Sequence, residues 1–421
     1  MNIKLRLILM NFLQFAIWES YLTSMGTHLV EIGMAEKIGL FYAMQGVVSL
    51  FMPAIIGIVA DRWVPAQRML GVCHLLAALF MASAAWYITA SRPELNFLML
   101  FSLYSLSVAF YMPTLALSNS VAYTALDQAG LDTVKSFPPI RVWGTIGFIC
   151  AMLFCDFAGF QKTYMQFYQC ALLGLTLGLY CFSLPHCPTN KSAEKKGLVE
   201  ALGLKAFALF KQKKMAIFFI FSMLLGVSLQ ITNGFANPFI TSFKGIAEYA
   251  DTFGANHANA LISLSQMSET LCILLIPFFL KRFGIKKVML IAMFGWVLRF
   301  GLFGVGNPGG GVWMFILSMI VYGVAFDFFN ISGSLFVNNE TDSSIRSSAQ
   351  GLFVIMTNGI GATIGTLSAQ AVVNHFVYSQ STPAAQVEGW STTWLLFAAY
   401  ALVVALLFAL VFRYKHTPEK A

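Results

Sequence analysis

Apolar runs of about 20 residues recur along most of this chain, and no other feature of the sequence constrains the fold as strongly. A helix of that length crosses the roughly 30 Å hydrocarbon layer of a bilayer. The runs are continuous, whereas the strands of a membrane barrel show short segments of alternating hydrophobicity. Charged residues make up only 10% of the chain, against about 25% in soluble domains. The sequence therefore predicts an all-α membrane protein.

The runs predict twelve transmembrane helices in two groups of six, separated by one long polar interval. Within that interval the stretch LGLKAFALFK has the basic, amphipathic pattern of a helix at a membrane surface. We predict an N-terminal six-helix bundle at 1–185, a cytoplasmic linker with an amphipathic helix at 186–214, and a C-terminal six-helix bundle at 215–421. The predicted spans are residues 8–30, 38–60, 68–88, 95–121, 138–160, 165–184, 215–241, 256–280, 286–306, 311–337, 348–376 and 391–412.

The distribution of Lys and Arg predicts the orientation of these helices. If both termini lie inside, 20 Lys and Arg fall in inside segments and four in outside loops. Loops that stay in the cytoplasm carry this excess of positive charge, so we expect cytoplasmic termini and an even number of spans. The net charge of +8 is then explained by loops between spans. The lipid bilayer is an expected partner, and nucleic acid is not.

The sequence contains no pattern typical of a metal site or an enzyme. Its seven Cys form no C-x-x-C pair and its six His are scattered, so we predict no disulfide, metal or cofactor. The H-E-x-x-H and G-x-S-x-G motifs are absent. Single acids on several helices fit a binding pocket better than the charged ring of a channel.

Polar residues inside the spans are the candidate functional residues, because a charge at the bilayer centre costs about 2.5–3.5 kcal/mol on insertion scales. In FPPIRVWGTIGF, Arg141, Thr145 and Phe148 share one helix face, and the preceding prolines fit a helix start. This face can bind a polar ring compound. The alternative is that Arg141 pairs with an acid and fixes two helices together.

Side-chain amides occur in two later spans, each at helical spacing from a second polar residue. Gln230 and Asn233 lie three residues apart, as do Gln266 and Glu269. Each amide offers a donor and an acceptor, which suits a neutral substrate with mixed edges. Hydrogen bonding between helices is the alternative role for the amides.

The stretch YGVAFDFFNISGS combines an acid with aromatic rings. Tyr322 and Phe326 lie one turn apart, and Asp327 follows directly. A poorly hydrated carboxyl group can bind and release a proton, as a proton-driven symporter requires. Asp327 and Glu269 are therefore proton-coupling candidates. The alternative for each is a fixed ion pair with Arg141 or Arg299.

The motif GIVADRW lies at a predicted cytoplasmic helix end. We interpret its Asp61 and Arg62 as a conformational latch between helix ends, with no contact to substrate.

Several long motifs carry a family resemblance that runs essentially from end to end. GIVADRW, KRFGIKK and the layout of six plus six helices resemble the major facilitator superfamily. The more specific stretches are FLQF, FMPAIIGIVAD, FPPIRVWGTIGF, MAIFFIFSMLLG, LQITN and SMIVYGVAFDFFNISGS. Together they resemble the bacterial nucleoside–proton symporters of the NupG and xanthosine-permease type.

The resemblance implies proton-coupled nucleoside import across the bacterial inner membrane by alternating access. It implies purine or pyrimidine nucleosides as substrates, the proton as coupling ion, and a monomer by analogy. A central site between the two halves is also implied. The positions of this chain that match the family's site residues are Arg141, Thr145, Phe148, Gln230, Asn233, Gln266, Glu269, Tyr322, Phe326 and Asp327.

The chain departs from the family pattern in its first helix. In IWESYL, Glu19 and Tyr21 stand where the family has Gly and Trp. Glu19 is either a third protonatable group or a residue near a polar cavity with no role in transport. This departure leaves open the alternative that the chain carries another small polar solute, such as a sugar or a drug.

Overall fold

The computed structural model describes residues 2–91, 94–189, 204–342 and 345–414, and within these ranges the chain contains helices and no strand. This agrees with the all-α prediction. Large apolar side chains such as Leu172, Leu274 and Leu410 are exposed. A chain that spans a bilayer presents such side chains to lipid, whose tails are as apolar as they are.

The chain divides into two compact units, Met1–Met34 with Met44–Leu202 and Ala35–Ala43 with Gly203–Ala421. In the first unit the helices are α1 (Ile3–Leu22), α2 (Met25–Glu31), α4 (Met52–Arg62), α5 (Ala66–Ala90), α6 (Phe97–Gln128), α7 (Thr133–Phe157) and α8 (Met165–Cys181). Helix α3 (Ile38–Ser49) begins among residues grouped with the second unit and ends in the first.

The second unit contains α9 (Lys213–Ser242), the short α10 (Phe253–Asn256), α11 (Ala258–Val305), α12 (Val312–Glu340), α13 (Arg346–Val354), α14 (Ala362–Val373) and α15 (Pro383–Val411). A π-helical stretch, Ile355–Gly361, joins α13 to α14. Helix α11 is two helices merged across a break at Gly284, whose φ of 76° is one that glycine adopts readily.

Eight helices in the described ranges are long and apolar enough to cross a membrane. A ninth candidate results if Ala35–Ser49 and Met52–Ala60, which meet at a bend of 42°, are counted as one span. Helix α11, with 48 residues, counts as one span in this total. Helix α8, with 17 residues, is too short to be included. The structure therefore supports a helical, multi-pass membrane protein.

Two local features differ from the prediction. Helix α7 begins at Thr133, five residues before Pro138, because the Asp132 side chain accepts a hydrogen bond from the Lys135 backbone N–H at 3.3 Å and so caps the helix. The predicted amphipathic helix falls partly outside the described residues. Its described part is a 3₁₀ helix, Leu204–Lys211, which is wound more tightly than an α-helix.

Helices α1 and α7 pack closely because small residues lie between them. A Cβ atom built on Gly147 would lie 2.1 Å from the carbonyl oxygen of Phe12, so only glycine fits there. Helices in membranes often approach each other at such small residues. This contact places the polar face of α7 against α1.

Candidate substrate and proton site

The polar face of α7 contacts an aromatic ring on α1. The Arg141 guanidinium carbon lies 3.8 Å from the centroid of the Phe15 ring, in cation–π geometry. Arg141 and Thr145 are half-buried and Phe148 is buried. The three side chains therefore occupy one region of the first unit, and Arg141 is held there by Phe15.

A network of hydrogen bonds links α1, α5 and α6 in the same unit. Gln14 Nε2 donates to Thr114 Oγ1 at 2.7 Å, and Gln14 Oε1 lies 2.8 Å from His74 Nε2. The Tyr111 hydroxyl donates to the Gln14 carbonyl at 2.6 Å. A second chain runs from Trp18 through Gln45 to Tyr104.

A small cavity adjoins this network. Its volume of about 10 Å³ is close to the least that holds one water molecule. Tyr21, His74, Ser107 and Tyr111 contribute its polar groups.

In the second unit, the two amides of α9 bind each other. Asn233 Nδ2 donates to Gln230 Oε1 at 2.9 Å, and both side chains are half-buried. This bond leaves donors on Gln230 and an acceptor on Asn233 without partners in the described part of the chain. A ligand with a donor edge and an acceptor edge can use both groups.

Helix α12 carries an aromatic pair. The Tyr322 and Phe326 rings stack with centroids 5.5 Å apart and an interplanar angle of 9°. The indole of Trp296 packs edge-on against Tyr322 at 6.0 Å. A cavity of about 10 Å³ lies beside Phe326, Trp296 and Asn330. The pair is thus a flat aromatic surface next to a small void.

The buried Arg299 lies behind this pair. Its guanidinium carbon is 4.6 Å from the Tyr322 ring centroid, and Nη1 donates to the Ser318 carbonyl at 2.8 Å. Ser265 Oγ lies 3.4 Å from the same nitrogen. Arg299 forms no ion pair with Asp327 in the described residues, so one alternative for this acid, a fixed pair with Arg299, is absent.

The two candidate proton carriers of this unit lie near each other. Asp327 is only 5% exposed, and its Oδ2 atom has no hydrogen-bond partner among the described residues. Glu269 on α11 is half-buried and close enough for the two charges to interact. Gln266 lies one turn before Glu269 on α11 and is half-buried too. Like charges close together do not both ionise easily.

Two further predicted groups lie in the first unit. Glu19 is fully buried, and the Thr23 hydroxyl donates to its Oε1. Asp61 and Arg62 are the last residues of α4, as expected for a helix end, and the Asp61 side chain is outside the described residues.

The structure therefore groups the predicted residues by unit. Arg141, Thr145 and Phe148 lie on α7 of the first unit. The other seven lie on α9, α11 and α12 of the second. No cluster of His, Cys, Asp and Glu in the described ranges could hold a metal ion.

Comparison with known proteins identifies the family. A family model described as nucleoside H⁺ symporter matches residues 1–417. The nucleoside permease NupG of Escherichia coli (strain K12) is 47% identical over 419 residues, which cover 99% of this chain and 97% of that protein. The chain belongs to the nucleoside–proton symporter family. The xanthosine permease of the same organism is 46% identical over 423 residues, covering 100% of this chain and 98% of that protein.

Solved structures agree with this assignment. The crystal structure of the nucleoside transporter NupG superimposes with a TM-score of 0.90 at 46% identity, covering 99% of this chain and all of that one. A bacterial homologue of the human lysosomal transporter Spinster, in an inward-facing conformation, matches with a TM-score of 0.66 at 15% identity, which shows likeness of fold alone. The resemblance stated from the motifs is confirmed, and this symporter is a membrane transporter.

Sequence reasoning missed the buried polar network of this symporter. Gln14 stands in the motif FLQF, and His74 is the one His within the third predicted span. A neutral polar residue in an apolar run is a weaker signal than a charge. The sequence did contain a signal for the network, because a polar side chain inside an apolar run needs a hydrogen-bond partner. Each unpaired buried polar group is costly.

Proposed function

We propose that this symporter imports nucleosides together with protons by alternating access, with two six-helix bundles moving about a site near the membrane midplane. The observation that carries the proposal is the aromatic pair Tyr322–Phe326 beside the buried acid Asp327 on one helix, in a chain of the nucleoside–proton symporter family. The family relation supports nucleosides as the substrate class.

The proposal assigns twelve spans to the chain. Nine candidates come from length and composition when the bent pair is one span. Dividing α11 at Gly284 and adding α1 and α8 gives twelve. The excess of Lys and Arg in alternate loops supports cytoplasmic termini for this topology.

Each part of the proposed site suits one part of a nucleoside. The stacked rings of Tyr322 and Phe326 offer a flat face to a base, since every base has a π face. The available donor of Gln230 and acceptor of Asn233 suit the hydrogen-bonding edges of a base or the ribose hydroxyls. The remaining proposed contacts are Arg141, Thr145, Phe148 and Gln266.

Asp327 and Glu269 are the proposed proton carriers of the second unit. The charges of the two acids interact across a poorly hydrated region, and two like charges close together are unfavourable. A single proton shared by the two acids would then be released when water reaches them. Asp61 and Arg62 at the end of α4 remain the proposed latch.

Uptake of radiolabelled uridine into cells lacking their own nucleoside carriers tests this proposal. We expect uptake to be competed by unlabelled purine and pyrimidine nucleosides but not by sugars, and to stop when the proton gradient collapses. Asp327→Asn and Glu269→Gln should abolish accumulation, while the matched control Asp342→Asn, at an exposed loop residue, should keep it.

The outcomes separate the parts of the proposal. Uptake that survives collapse of the proton gradient contradicts proton coupling. Competition by sugars and not by nucleosides contradicts the substrate class. Full accumulation by both acid variants contradicts the assignment of the proton site.

A further inference from the structure

Glu19 is a buried acid that the proposed substrate site does not use. Its side chain has no exposed surface, the Thr23 hydroxyl donates to Oε1, and Oε2 has no hydrogen-bond partner among the described residues. An ionised carboxylate with one donor and no cation is strongly unfavourable in such a place. A neutral carboxylic acid fits this environment far better.

Among the residues that the structure describes, the helices packed against α1 bring no cation to Glu19. Arg141 stacks on Phe15, one turn before Glu19. At the surface, Lys162 pairs with Glu31 at 2.8 Å. The other titratable groups that the neighbouring helices contribute to this region are Cys155 and Asp156 on α7, Tyr104 and Tyr111 on α6, Cys170 on α8 and His74 on α5.

Polar groups lie between Glu19 and a surface loop, and the sequence neighbours Thr23 and Ser24 connect the two ends. Thr23 and Ser24 form the break between α1 and α2. Ser24 Oγ donates to Gln166 Oε1 at 3.2 Å, and Gln166 Nε2 donates to the carbonyls of Gln161 and Thr163 at 3.1 and 3.0 Å. This loop begins at the exposed pair 158–159. Backbone groups freed at a helix break are places where ordered water can enter.

We propose that Glu19 is a second proton-carrying group of the transport cycle, located in the first unit, protonated in the conformation seen here and deprotonated when the break between α1 and α2 admits water. In that step the carboxyl O–H bond breaks and the proton passes to water on the polar path. The proposal rests on the proposed function, because it adds a proton to a cycle that already couples nucleoside to proton movement.

The test is the number of protons carried with each uridine, measured in proteoliposomes of the full chain with the membrane potential held at zero. A tenfold uridine gradient is opposed by a pH gradient until net uridine flux stops. For two protons this balance needs about 0.5 pH unit, and for one proton about 1 pH unit, because each pH unit is a tenfold gradient. We expect about 0.5 for the wild-type chain and about 1 for Glu19→Gln.

Asp156→Asn is the matched control. Asp156 is another buried acid of the first unit, with its Oδ1 accepting from Gln161 Nε2 at 2.6 Å, and its replacement should leave the balance at the wild-type value. If Glu19→Gln does not reach the membrane, Glu19→Ala removes the same carboxyl and should shift the balance likewise. If uridine flux stops at the same pH gradient in the wild-type chain and in the Glu19 variants, the inference about Glu19 is wrong and the proposed function is unaffected. A wild-type chain with no pH-driven uridine flux overturns the proposed function.

Discussion

Replacing Arg299 by Lys tests whether the aromatic pair on α12 binds substrate. Arg299 lies behind the Tyr322 ring at 4.6 Å and is fixed by the Ser318 carbonyl at 2.8 Å. Lys keeps the charge but lacks the planar guanidinium, which stacks on the Tyr322 ring and donates to the Ser318 carbonyl at the same time. We expect Arg299→Lys to loosen Tyr322 and, through it, the stacked Phe326.

The size of the effect follows from these contacts. A desolvated cation–π contact is worth about 2 kcal/mol, and Lys retains part of it. A loss of roughly 1–2 kcal/mol in the positioning of the aromatic pair corresponds to an increase of about 5- to 30-fold in the KM for uridine. The maximal rate per folded molecule should change little, because Arg299 touches neither of the proposed proton carriers.

Arg282→Lys provides the control for this experiment. Arg282 is an exposed residue of the same helix, with its guanidinium carbon 5.8 Å from the Phe283 ring, so the same chemical change is made away from Tyr322. Initial rates of uridine uptake over a range of concentrations, normalised to the amount of folded protein, give KM and maximal rate separately. An unchanged KM in Arg299→Lys refutes the argument, whether or not the maximal rate per folded molecule changes.

Three further predictions concern packing, the buried network and the linker. Gly147→Ala should destabilise the chain by an overpacking cost of about 1–3 kcal/mol, measured as a lower thermal unfolding temperature in detergent. Gly57→Ala is the control, because a Cβ there meets nothing within 4 Å, and it should not lower this temperature. Equal unfolding temperatures for the two variants contradict the close contact at Gly147. Gln14→Leu should destabilise the chain by about 1–3 kcal/mol for each partner left unpaired, detected as the same shift, and no shift argues against the network. Burial raises the pKa of the Cys187 thiol, so its alkylation by N-ethylmaleimide, followed by mass spectrometry, should be slow at neutral pH and faster as the pH rises; rapid alkylation at neutral pH contradicts this environment.

The eight long apolar helices were predictable because their energetics are local. A helix in hydrocarbon satisfies its backbone groups within its own segment, so length and apolarity suffice to find it. Helix ends depend on single side chains, and the start of α7 was therefore misplaced: Asp132 caps it five residues before Pro138. The break in α11 at Gly284 was predicted as a loop with basic residues, and the structure keeps the segment helical on both sides of that glycine.

The candidate site was predictable only as residue types on helix faces. Spacing placed Tyr322 and Phe326 on one face, and the structure shows the rings stacked. Partners on other helices cannot be deduced from spacing. Gln14 bonds to side chains 60 and 100 residues away, and Arg299 takes a carbonyl and an aromatic ring as partners where an acid was the alternative considered.

We propose that the placement of Asp327 on α12 couples substrate binding to proton binding. Asp327 follows Phe326 directly, and Phe326 stacks on Tyr322 one turn earlier, so a base that stacks on the aromatic pair also lies near the acid. Ionisation of Asp327 while it is buried and beside Glu269 is unfavourable. A substrate that fills the space next to the pair therefore favours the protonated acid, and a protonated acid favours the packing that the substrate needs. By linkage, each of the two bound species then increases the affinity for the other.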